Sequence, residues 1–194
     1  MKDFLFVNSW FDQKYQNLSG SRYATFKATL NLFRQNNGFY IVETGTTRQI
    51  NDWGAGYSTV LFGDYLSRYG GRLWTVDISE PNMNVCRVAT AEYASVIDYV
   101  VSDSHLFLRT YIGKIDLLYL DSYDYPLDGS DPSPCQQHQL EELKLAFPHL
   151  HDKSIVLLDD NNFDNGGKTK LTKDCLIEKG WRCVLDQQQS LWIK

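Results

Sequence analysis

Short apolar runs alternate with longer amphipathic ones along the whole chain. Residues 39–44 (FYIVET), 72–77 (RLWTVD), 97–101 (IDYVV), 115–121 (IDLLYLD), 154–159 (SIVLLD) and 181–185 (WRCVL) predict strands, and 190–194 (SLWIK) a seventh. Several are continuous β-branched, leucine-rich or aromatic runs, as expected of strands covered on both faces. Between them, 58–69, 81–93, 105–111, 134–147 and 168–179 predict helices, with another at 21–34 ahead of the first strand. Glu80-Pro81 is a good helix entry, because the fixed φ of proline suits a first turn. Gly70-Gly71 and Gly180 stand where helix C-caps belong, and Pro148 should end its helix just before it. The alternation predicts an α/β fold, a doubly wound and mostly parallel seven-stranded sheet. Only QQQ separates the last two strands, which predicts a closing hairpin and an antiparallel last strand. One domain is expected over 1–194: an N-terminal extension and helix in 1–35, with 1–20 outside the strand-helix pattern, and a core from 36 to 194.

Composition narrows the partners. A chain of 194 residues with net charge −5 fits one globular domain. Its longest basic cluster, 168–173, is broken by Thr and Leu, so no nucleic-acid surface is expected. No apolar run approaches the ~20 residues that span a bilayer, so no membrane association is expected. The first residues, MKDFLFVNSWFDQKY, lack a signal-peptide cleavage pattern. Cys86, Cys135, Cys175 and Cys183 show no CxxC spacing, which predicts buried free thiols and a cytoplasmic protein.

In an open α/β sheet, ligands bind beyond the carboxyl ends of the strands, near the switch in strand order. Those ends carry Glu43, Asp77, Asp103, Asp121 and the Asp159-Asp160-Asn161 group. A single strand-end Asp is ordinarily a cap; five successive strands delivering acids to one edge predict a site. Asp77 can accept both ribose hydroxyls of an adenosine ligand, whether NAD or S-adenosylmethionine. Ser102-Asp103-Ser104 can meet an adenine edge, cap a helix, or do both. Gly45, Gly54 and Gly56 do not fit the compact GxGxxG of a diphosphate grip, and 46–53 is long and bulky. That loop suits a ligand presenting no phosphate there.

Taken together, VETG…GAGYST, WTVDIS, VVSDS and DLLYLDS resemble the motifs of the class I S-adenosylmethionine-dependent methyltransferases, in order, over about 41–161. The long first loop most resembles the small bacterial macrocin-like O-methyltransferases. The resemblance implies Glu43, Gly45 and Gly56 around the methionine part, Asp77 on the ribose and Asp103 near the adenine. Thr46, Ser58, Ile78, Ser104 and Asp121 complete the expected cofactor set. A NAD-dependent oxidoreductase and a catalytically inactive S-adenosylmethionine-binding protein are the alternatives.

Asp121 ends the fourth strand and Asp160-Asn161 follow the fifth, so two carboxylates and an amide oxygen are expected to converge. Hard oxygens in that arrangement suit Mg²⁺, Ca²⁺ or Mn²⁺. The set is similar to the metal site of catechol and caffeoyl-coenzyme A O-methyltransferases, where the cation binds the acceptor hydroxyls. Those enzymes carry a lysine base shortly after the fourth-strand acid; here DSYDYP leaves that place without one. His138 and Asp121 are the expected catalytic residues, with His138 as the base. The long segment 122–134 reads as a lid, with Tyr123 and Tyr125 toward a small-molecule acceptor. The rest of the acceptor pocket is expected from 1–35, the two long loops or a neighbouring subunit, so a homo-oligomer is left open.

Overall fold

A computed structural model describes residues 10–54 and 57–194. Seven strands, β1 (Tyr40–Thr44), β2 (Arg72–Asp77), β3 (Ile97–Val101), β4 (Leu117–Leu120), β5 (Ile155–Leu158), β6 (Arg182–Asp186) and β7 (Ser190–Ile193), form one sheet in the order β3-β2-β1-β4-β5-β7-β6. β1 to β5 are parallel. β7 runs antiparallel to both β5 and β6, so the expected closing hairpin is present. The helices are α1 (Tyr23–Gln35), α2 (Ser58–Tyr69), α3 (Glu80–Ala89), α4 (Ser104–Thr110), α5 (Ser133–Ala146) and α6 (Lys170–Glu178).

Alternation along the central strands divides the core in two. Ile41, Leu117, Tyr119, Ile155 and Leu157 face α1 and α2, meeting Phe26, Leu30, Phe62 and Leu66. Val42, Leu118, Leu120, Val156 and Leu158 face the other layer, with Leu108, Leu143, Leu176 and Trp192. These strands are covered on both sides, which is why their sequences are nearly unbroken apolar runs.

The expectation that 1–20 stand outside the pattern is corrected for the described part. Residues 10–15 are helical, and Phe11 and Tyr15 are fully buried in the α1-α2 layer. The strand-helix pattern hid them because the six residues 10–15 are too short a run for a helical period to be read. Residues 1–9 lie outside the described ones. The helix predicted over 81–93 ends earlier, at Ala89, and passes into a 3-10 segment, Ala91–Val96. Gly70 caps α2 at φ 83°, a conformation favouring glycine. Among the described residues no helix is long and apolar enough to cross a membrane, and all four cysteines are free.

Register fixes the site. Thr44 pairs with Val76 on one side and Leu120 on the other, so the next residues, Gly45, Asp77 and Asp121, stand level across three strands. Leu120 pairs with Leu158, which brings Asp159 level with Asp121. The strand order reverses between β1 and β4, and that is where such a sheet opens a crevice.

Asp64 of α2 ties the first described helical turn to this frame. It accepts from Lys14 Nζ at 2.5 Å, Tyr15 Oη at 2.7 Å and Arg68 Nε at 2.8 Å. Lys14 and Arg68 are half-exposed and contribute little, but the Tyr15 hydroxyl is buried. Asp64→Ala is expected to lower the unfolding free energy by about 2 kcal/mol in urea titrations, with an unchanged m-value. A loss below about 0.5 kcal/mol, the range of an ordinary surface change, contradicts this anchoring.

Candidate active site

At the β1-β4 crevice lies a cavity of about 460 Å³, within the range for small-molecule sites. Gly45, Thr46 and Ser58 line its β1 side; Asp77 and Ile78 follow β2; Asp103 and Ser104 follow β3; Asp121 and His138 close it. Gly45 is at φ 82°, and a Cβ there would lie 2.5 Å from the Asp121 carbonyl oxygen. Only glycine lets the β1 turn approach β4 so closely. Asp77 Oδ1 accepts from the Ser79 amide at 2.7 Å and lies 3.4 Å from Asn82 Nδ2. Ile78 is 74% exposed in the wall, an apolar surface suited to a planar base. Asp103 caps α4 by accepting from Leu106 N at 3.0 Å, and it also lines the cavity.

Glu43 departs from expectation. It is 1% exposed and sits behind the cavity, accepting from Ser58 Oγ (2.5 Å), Thr59 Oγ1 (2.7 Å) and Thr75 Oγ1 (2.8 Å). It is therefore a support of the wall and the α2 start; strand alternation, not chemistry, decides that it points inward. Its carboxylate lies beneath the first residues of α2, where a helix would otherwise receive a phosphate. Gly56, expected beside it, lies outside the described residues.

A second cavity, of about 750 Å³, adjoins the first. Arg22, Asp160, Tyr125 and Phe163 contribute to it, the two rings stacked at 4.8 Å. Tyr123, paired with Tyr125 in the sequence reading, lines the first cavity instead. Asp121, Arg48 and Asp124 line both. Arg48 Nη1 and Asp124 Oδ2, 2.6 Å apart, join the two long loops across the junction.

His138 does not take part in the second cavity. Its Nε2 lies 3.2 Å from Ser104 Oγ and 3.4 Å from Glu142 Oε1, and its ring stacks on His105 at 4.1 Å. From α5 it packs against α4 and lines the first cavity together with Asp121. A helix start at the ligand edge was the correct inference; which wall it built was not legible from sequence.

The three residues expected to hold a divalent cation do not fit one. Asp121 Oδ1 and Asp160 Oδ2 flank Lys168 Nζ at 3.0 and 3.2 Å. Asn161 turns elsewhere: its Oδ1 accepts from Thr169 Oγ1 at 2.7 Å, and its Nδ2 donates to Asp186 Oδ1 at 2.6 Å. Among the described residues no group of three or more acids, histidines and cysteines is disposed to hold a metal. Asp159, fully buried, receives both a fork from Arg22 Nε (2.8 and 3.0 Å) and the Tyr119 hydroxyl. Burial would pull the Lys168 ammonium down, but Asp121, Asp160 and Asp159 outweigh it and hold its pKa above the ordinary lysine value. Burial pushes the Asp121 carboxyl up, Lys168 opposes this, and the neighbouring carboxylates add to it. Sequence reasoning missed Lys168 and Arg22, and the only trace of the former was the Gly-Gly-Lys that follows the strand-end acids.

Burial pushes the Glu43 carboxyl from 4.5 up to about 7, against the three hydroxyl donors. A carboxyl raised in the folded state contributes stability that is full below its unfolded pKa and lost as pH rises through the folded one. The wild-type chain should therefore lose stability relative to Glu43→Gln between about pH 4.5 and 7, measured by urea unfolding across pH. Parallel stability curves would contradict the assignment.

Residues 52–161 match a sequence family described as a methyltransferase domain. No curated protein sequence matches the chain. The SAH-bound Podospora anserina methyltransferase PaMTH1 superposes with a TM-score of 0.63 at 13% identity, over 98% of this chain and 86% of that one. CalS11, a TDP-rhamnose 3′-O-methyltransferase of calicheamicin biosynthesis, gives 0.60 at 15% identity, over 86% and 77%. A ribosomal protein L11 methylase from Lactobacillus delbrueckii subsp. bulgaricus gives 0.51 at 13%, over 87% and 79%. Such likeness at low identity carries the fold and not the acceptor. With the matched segment covering more than half of its length and the strand order and crevice in place, this chain belongs to the methyltransferase domain family, in the S-adenosylmethionine-dependent class.

Proposed function

We propose that this enzyme methylates a hydroxyl of a small molecule held in the second cavity, with Asp121 as the base. The observation that carries the reading is that Asp121 is a carboxylate lining both cavities, at the end of a central strand.

S-adenosylmethionine, when bound, supplies an electrophilic methyl on a sulfonium. Asp77 can accept the ribose hydroxyls, Ile78 and Ser104 line the cavity where the adenine would lie, and the acids of the cavity match a cationic sulfur centre. Glu43 under the α2 start disfavours a diphosphate there, which speaks against the NAD reading. Asp121, with 21% of its side chain exposed, would take up the acceptor's hydroxyl proton at its carboxylate as the oxygen receives the methyl. Alignment of nucleophile and methyl in adjoining cavities supplies the remaining advantage. The Arg48–Asp124 bridge joins the two long loops at the junction of the cavities.

Two measurements test this. Asp77→Ala should weaken S-adenosylhomocysteine binding roughly 10- to 100-fold by calorimetry, the equivalent of about 1.5–3 kcal/mol for charge-assisted hydrogen bonds, while NAD gives no binding heat. Tight NAD binding would turn the assignment to an oxidoreductase. Asp121→Asn should cut turnover of a hydroxylated acceptor by about 10²- to 10⁴-fold. Undiminished turnover in that variant would remove Asp121 from the chemistry.

A further inference from the structure

Lys168 is an ammonium with none of its side-chain surface exposed, set among three acids at the ends of two adjacent strands. Desolvating such a group costs several kcal/mol unless it is well paired, and here the chain is built to deliver it. Asp160 adopts φ 55° and Gly167 φ 61°. A Cβ on Gly167 would fall 2.2 Å from the Asp160 carbonyl oxygen. The Lys168 amide donates to that same oxygen at 3.0 Å. Gln136 Nε2, from α5, donates to the Gly167 carbonyl at 2.8 Å. The loop after β5 thus folds back tightly, is pinned to the neighbouring helix, and inserts its lysine between Asp121 and Asp160.

That point is where a divalent cation held by those two carboxylates would sit. The amide oxygen that would complete its shell, Asn161 Oδ1, instead accepts from Thr169 and, at 3.1 Å, from Lys173 Nζ. We infer that Lys168 is a tethered cation occupying the place of a metal, and that the site takes no divalent ion. Lys168 is a positioning residue: it fixes Asp121 Oδ1, while Oδ2 lies 3.2 Å from Tyr119 Oη. An ammonium whose charge is already met by two carboxylates offers no open coordination position, so it cannot chelate paired oxygens of an acceptor as a metal does. The inference rests on the methyltransferase reading only in giving Asp121 its task.

Mn²⁺ titration of the full chain loaded with S-adenosylhomocysteine, followed by calorimetry and by water-proton relaxation, tests it. The wild-type chain is expected to bind no Mn²⁺ that depends on Asp121 or Asp160. Lys168→Met, verified as folded by circular dichroism, is expected to gain one Mn²⁺ and to lose it again when Asp160→Asn is added. Stoichiometric Mn²⁺ on the wild type that Asp121→Asn or Asp160→Asn abolishes overturns the inference, whether or not the Lys168 variant folds. A folded Lys168→Met chain that binds no Mn²⁺ overturns it as well. Failure of S-adenosylhomocysteine to bind would instead fault the cofactor reading, which the same titrations report separately.

Discussion

The site depends on one arrangement of buried charge. Asp121, Asp159 and Asp160 meet Arg22 and Lys168 at the ends of β4 and β5. None of these groups could stand there alone, since an unpaired charge in a dry interior costs far more than a folded domain has to spare. Each cation also joins a distant segment to the sheet: Arg22 reaches from the start of α1 and donates to the Gly54 carbonyl of the long first loop at 2.8 Å, and Lys168 closes the loop after β5. The network therefore shapes the second cavity as well as Asp121. In such a network, removing one partner leaves the others uncompensated, and the losses should be strongly non-additive.

The first cavity is built differently, from register and backbone. Parallel pairing brings Gly45, Asp77 and Asp121 level, and glycine at φ 82° lets two strand ends come within contact. Glu43 and its three hydroxyl donors hold the wall from behind. One cavity thus rests on hydrogen-bonded backbone geometry and the other on paired charge, with Asp121 common to both.

Much of this was legible in the sequence because it is local. Strand runs, the Glu80-Pro81 helix entry, Gly70 and Gly180 as caps, and the strand-end acids all follow from short-range rules; β2, β3 and α2 appear with the predicted limits. The resemblance of the motifs to methyltransferases drew on their order and is supported by the family match. What sequence could not show is which way a strand-end side chain faces relative to a distant loop. Asp121, Asp160 and Asn161 have the right types and spacing for a metal. A lysine at the far end of the following loop changes that meaning, and nothing in the local pattern marks Lys168 as buried. Likewise nothing in the local pattern of the helix predicted over 21–34 marks Arg22 as the partner of Asp159, and the roles of Glu43 and His138 turn on orientation.

The account is tested most directly by a crystal structure of the chain grown with S-adenosylhomocysteine and Mn²⁺. It predicts the nucleoside between Gly45 and Asp77, the sulfur on the side of Asp121, and Lys168 Nζ still between Asp121 and Asp160. A ligand lodged away from those strand ends, or a metal ion seated on the two carboxylates with Lys168 displaced, would contradict it.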